Sequence, residues 1–172
     1  TVTPTVTPTT IPTVSVTPTT SGVPSYGTLS VQPNPVSQSE STLEAGKTYE
    51  LVAAQYKASG SDITIKKIVV KTTVTNKKVF PWQIFSAISL WDGSTKLAEL
   101  AVNQANLIEN GFATDYTANI SGLNIVIPNG QKKTITTKVT LLPALTDAAK
   151  TAQFVISMQN DIVYVDTAGV VY

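Results

Sequence analysis

Apolar and polar residues alternate along most of this chain, and the alternation begins at once. Val2, Pro4, Val6, Pro8, Pro12, Val14, Val16 and Pro18 occupy even positions, and Thr fills the odd ones up to residue 19 apart from Ile11 and Ser15. In an extended backbone a period of two gives one apolar face and one hydroxyl face. Prolines of a single parity remove N–H donors from one side of a strand only. Thr3, Thr5, Thr7, Thr9, Ile11 and Thr13 keep theirs. The pattern predicts an extended arm over residues 1–27 that can pair with a sheet along one margin and not the other. The plainer reading of the same composition is a semi-rigid Thr/Pro spacer, of a kind often O-glycosylated.

From Gly27 onward the alternation is that of strands separated by turn residues. Strands are predicted over 28–32, 48–58, 63–75, 83–91, 96–102, 112–120, 123–127, 132–142, 153–160 and 162–172. In 63–75 the apolar residues change parity, from Ile63 and Ile65 to Ile68, Val70 and Val74. A bulge near Lys66-Lys67 would turn both sets inward. Asp92-Gly93-Ser94 reads as a hairpin turn, and Pro128-Asn129-Gly130 as another turn. The strand over 132–142 has the clearest half-buried pattern, with Ile135, Val139 and Leu141 set against Thr134, Thr136, Lys138 and Thr140. Residues 144–151 suit one or two helical turns, and 103–111 a polar loop or short helical turn. About nine short strands with no long helical period predict an all-β fold. We expect a single β-sandwich of Ig-like or jelly-roll type over residues 28–172, carrying the N-terminal arm.

Composition narrows the function. The 172 residues include no Cys and no His, and all twelve basic residues are Lys. The formal net charge is +1 and charged residues make up 13%. Phosphate binding needs clustered Lys and Arg, so no nucleic-acid partner is expected. The pairs Lys66-Lys67, Lys77-Lys78 and Lys132-Lys133 read as solvated strand or turn positions. No run of about twenty apolar residues is present, so no membrane-spanning segment is expected. A start at Thr fits a processed protein or a piece of a longer one. The Thr/Pro arm and the scarcity of charge fit an extracellular or cell-surface location.

Candidate chemistry is sparse. Without His or Cys the common nucleophile–base pairs are missing, and without Arg there is no guanidinium fork for an anion. The scattered acids show no catalytic spacing, although two-carboxylate glycosidases join their acids in space. We expect no enzyme, no cofactor and no metal. Calcium is the one metal considered, because Asp62, Asp92, Asp115, Asp147, Asp161 and Asp166 fall in or near predicted loops. Turn Asp residues more commonly bond their own backbone. Aromatic side chains could form a sugar-stacking platform. Most of them alternate with other apolar residues as core positions do, and Phe80 and Trp82, flanking Pro81, are the expected exposed exceptions. Asn119-Ile120-Ser121 matches an N-glycosylation sequon. Thr3, Thr5, Thr7 and Thr9 are the other candidate sugar acceptors.

Three stretches follow a shared order: LEAGKTYELVAAQYKASGSDITIKKIVV, ISLWDGSTKLAELAV and GLNIVIPNGQKKTITTKVTLL. Together they resemble β-sandwich domains of prokaryotic surface-layer, pilus and other cell-surface filament proteins, over about residues 28–142. The resemblance implies an adhesive or assembling structural role and supplies no catalytic residue. The chain shows neither an LPxTG-like sorting signal nor the apolar N-terminal helix of type IV pilins.

The expected function is therefore a non-enzymatic structural subunit of an extracellular filament, pilus or surface lattice. Its partners are other copies of itself. The arm docks on a neighbouring sandwich in the manner of a donor strand, through Val2, Val6, Ile11, Val14 and Val16. The alternative is a carbohydrate-binding or adhesin module on a Thr/Pro spacer, with glycans as partners and a flat row of exposed aromatics. A third reading is a passive module of a longer stalk.

Overall fold

The computed structural model describes residues 26–34, 43–75, 77–110, 114–158 and 160–172. Among these residues two antiparallel sheets, ten strands in all, enclose one apolar core. The first sheet contains β1 (Thr28–Asn34), β2 (Thr48–Ser59), β4 (Phe85–Asp92), β5 (Thr95–Ala101) and β8 (Lys132–Leu141). Its order is β1-β2-β8-β4-β5. The second contains β3 (Ile63–Val74), β6 (Leu107–Glu109), β7 (Asp115–Ile127), β9 (Phe154–Met158) and β10 (Val163–Asp166). It runs β10-β3-β7-β6, and β9 pairs with the far half of the same margin of β3. The β-sandwich-like arrangement agrees with the fold class expected from the alternation.

The period of two explains the core. On β8, Ile135, Thr137, Val139 and Leu141 are buried while the residues between them are partly exposed. On β3 the expected bulge is present, with the pairing to β7 shifting between Ile65 and Lys67. As a result Ile63, Ile65, Ile68, Val70 and Val74 are all fully enclosed despite their change of parity. The turn at Pro128, Asn129 and Gly130 carries the chain from β7 in one sheet to β8 in the other. There the Gly130 N–H donates to the Ala58 carbonyl, and Gly130 has a positive φ of 77°.

Several expectations need correction. The two strands expected over 112–120 and 123–127 are one strand from Asp115. Ser121-Gly122 does not end it, because Gly122 adopts φ 73° on the β7 side of the same register shift that lies between Ile65 and Lys67, and pairing resumes at Ile125. The polar stretch 103–111 contains β6, a three-residue strand too short to show a period. The strand expected over 162–172 stops at Asp166, where a turn folds the last residues back so that Val171 bridges Val165. The helical turn expected within 144–151 is α1 (Asp147–Lys150), whose Thr146 side chain accepts from the Ala149 N–H. Phe80 and Trp82 are not free aromatics. They stack on each other at 4.8 Å, and both meet the buried Tyr116 edge-on, so they extend the core. Among the described residues no flat row of exposed aromatics appears; Tyr26 and Tyr172 are the exposed rings.

Candidate functional site

The candidate site is the place where the arm meets the sandwich, together with the margins of the two sheets. Val2, Val6, Ile11, Val14, Val16, Thr3, Thr5, Thr7 and Thr9 lie outside the described residues. The root of the arm lies inside them. The N–H of Gly27, a buried residue, donates to the Asp166 carboxylate at 3.1 Å across 139 residues of chain. The Asp166 carboxylate also accepts from the N–H groups of Ala168 and Val170 (both 2.9 Å) and from the Tyr172 hydroxyl (3.2 Å). Burial alone would push the Asp166 pKa up. The bonds from Gly27, Val170, Tyr172 and Ala168 outweigh it and hold the group below its ordinary value. An anion saturated by donors is an acceptor only, so its chemical role here is to pin backbone.

Gly27 is required by space. A Cβ there would lie 2.5 Å from Ile63 Cδ1 and from Ser61 Oγ, and 2.9 Å from Asp166 Cβ. The chain therefore enters β1 from a fixed point against the second sheet. Among the described residues β1 then pairs with β2 alone and forms one margin of the first sheet.

The other margins are also open. Among the described residues β5 pairs only with β4. β6 covers β7 from Tyr116 to Ala118, so residues 119–127 of β7 have no strand partner on that side among the described residues. Along this stretch Leu123, Ile125 and Ile127 turn inward, whereas Asn124 and Val126 are exposed. Such a margin carries backbone donors and acceptors that another strand can engage.

Asn119 does not sit on a turn. It lies mid-strand on β7, half-buried, directly opposite Val69 on β3, where it lines an open groove on the outer face of the second sheet. The six Asp residues weighed for calcium are dispersed and engaged. Asp92, Asp115, Asp147 and Asp161 pair with Lys133, Lys71, Lys150 and Lys67. Asp62 accepts from the Asn129 N–H, and Asp166 holds the arm root. Among the described residues no three metal-binding side chains gather. Trp91 lies on the outer face of the first sheet with the Lys138 ammonium 4.6 Å from its ring and its indole N–H donated to Ser89. Among the described residues no helix is long and apolar enough to cross a membrane. No protein-family model and no curated protein matches the chain.

Sequence reasoning missed the Gly27–Asp166 contact. A glycine and an aspartate that distant carry no shared local pattern. The one available signal was a glycine placed just before a strand with no turn to serve.

Proposed function

We propose that this protein is a structural subunit of an extracellular filament, pilus or surface lattice, built on an Ig-like or jelly-roll sandwich. The arm of one copy adds as a strand to an open sheet margin of the next. The observation that carries this reading is the pairing of complementary features in one chain. Among the described residues the sheets end in margins that no further strand covers, and the arm ahead of Gly27 keeps every N–H of its odd positions while Pro4, Pro8, Pro12 and Pro18 interrupt the donors of the even side. An arm of that pattern extends a sheet and then stops it, which suits a defined repeat better than open-ended aggregation.

Geometry supports the same arrangement. Twenty extended residues reach roughly 65 Å, enough to cross to an adjacent subunit. The anchor at Gly27 fixes where the reach begins. A contact between an arm and a margin elsewhere on the molecule is head-to-tail, so it need not close and can propagate as a fibre. The scarcity of charge and the lack of a nucleophile–base pair support a binding role over a catalytic one. Negative-stain microscopy of the full chain tests the proposal. It should show fibres or lattices, and deletion of residues 1–20 should leave folded, separate particles. Normal assemblies from the truncated chain would refute arm docking.

A further inference from the structure

We infer that the groove on the outer face of the second sheet is a binding site for a neutral saccharide. It deepens the carbohydrate alternative raised by the sequence and stands independently of arm docking. The groove has a cavity volume of about 560 Å³, within the range of small-ligand clefts. Its walls come from two irregularities in the sheet. On one side Asn160 and Asp161 stand where the chain breaks between β9 and β10. On the other, Ile108 and Asn110 belong to the short β6 and the residue after it. Three strand intervals separate these walls, about 14 Å at ordinary spacing.

The floor is read by side chains only. Its strands β3 and β7 are paired with each other, so their backbone is spent within the sheet. A peptide strand would find no ladder there, whereas a ligand rich in hydroxyls would meet amides. The side-chain amides of Asn119 and Asn160 hydrogen-bond to no described residue. Each amide offers donors and an acceptor, which matches the paired donor and acceptor character of neighbouring ring hydroxyls. Ile108 is 53% exposed and offers an apolar surface to the C–H face of a pyranose, while Val69, 3% exposed, seals the floor.

Charge selects the ligand class. The charged lining residues are Lys67 and Asp161, which face each other at 3.6 Å and cancel. No surplus cation favours a uronate, a sulfated sugar or a phosphate. With aliphatic rather than aromatic stacking, binding should be weak, in the millimolar range.

The test titrates the full chain with cellobiose, maltose, N,N′-diacetylchitobiose and mannobiose, each to about 10 mM, and follows side-chain amide and methyl resonances. At least one disaccharide should saturably shift the Asn119 and Asn160 amides and the Ile108 methyls. Asn119→Ala should weaken that binding about tenfold, as expected for the loss of one or two hydrogen bonds. Asn124→Ala, on the same strand outside the groove, should leave it unchanged. No saturation with any of the four sugars, shifts confined to Tyr26 and Tyr172, or equal binding by Asn119→Ala would overturn the inference. It would also be overturned if deleting residues 1–20 alone moved the groove resonances, because the groove would then hold the arm of another copy. Fibres that form normally while sugar binding fails would leave the assembly reading intact.

Discussion

Replacing Gly27 with Ala tests the arm root most sharply. The added methyl would start 2.5 Å from Ile63 Cδ1 and Ser61 Oγ and 2.9 Å from Asp166 Cβ. Only the Ser61 hydroxyl can swing aside at low cost. Ile63 is fully enclosed in the core, and Asp166 is held by four hydrogen bonds. The clash is therefore relieved by moving residue 27 outward, which stretches its 3.1 Å bond to Asp166 and strips β1 from its fixed start. Overpacking of this kind costs about 1–3 kcal/mol. For a chain of this length a loss near 2 kcal/mol lowers Tm by roughly 4–8 °C. Urea and thermal unfolding of Gly27→Ala beside wild type measure it. Ser30→Ala, at an exposed position on the same strand, should stay within about 0.5 kcal/mol of wild type. In assembly assays Gly27→Ala should give irregular fibres, because the arm then leaves from a movable point. Wild-type stability in Gly27→Ala would show that the close approach at residue 27 does not hold the arm root.

Thr72 and Thr137 are fully buried with hydroxyls that meet no hydrogen-bond partner among the described residues, so Thr72→Val or Thr137→Val should raise stability by about 1 kcal/mol in urea unfolding, by removing a desolvated polar group at nearly constant volume. Asp166 and Asp115 both have lowered pKa values, Asp166 because its hydrogen bonds overcome burial and Asp115 chiefly through its bond to Lys71. A depressed carboxylate stabilises the fold above its unfolded value near 3.8 and loses that contribution as pH falls through the lower folded value. Tm should therefore hold steady in mildly acidic buffer and fall as pH drops from the unfolded value of 3.8 through the lower folded values, and Asp166→Asn should flatten the fall. Gly122→Ala places a side chain at φ 73° with open space around it, so backbone strain alone should cost about 1 kcal/mol, read as a lower urea midpoint.

Most of the fold was legible in the sequence because sheets advertise themselves locally. Ile135, Val139 and Leu141 declare an inward face by alternation alone, and the parity change after Ile65 required the bulge found at Lys66-Lys67. The legible part ended where structure depends on distant partners. β6 became a strand through pairing with β7, and Ser121-Gly122 looked like a turn because a bulge and a turn draw on the same glycine freedom. Phe80 and Trp82 beside Pro81 looked exposed, yet Tyr116 from the other side of the fold covers them. The arm's one-sided donor pattern was readable from parity. Its anchor was not, since Asp166 is an ordinary turn aspartate until the fold brings Gly27 to it. The groove was equally hidden, being assembled from a strand break, a short margin strand and the faces of β3 and β7.

The central claim is that the arm works as a strand with one bonding side, and moving its prolines addresses that directly. Thr5→Pro/Thr7→Pro removes donors from the side that keeps all of its own, whereas Pro4→Ala/Pro8→Ala restores donors on the side that proline interrupts. Sedimentation and negative-stain microscopy of the two full-length variants should show separate folded particles for the first and fibres, thickened or bundled, for the second. If both variants assemble like wild type, the arm does not pair by its backbone and the account fails.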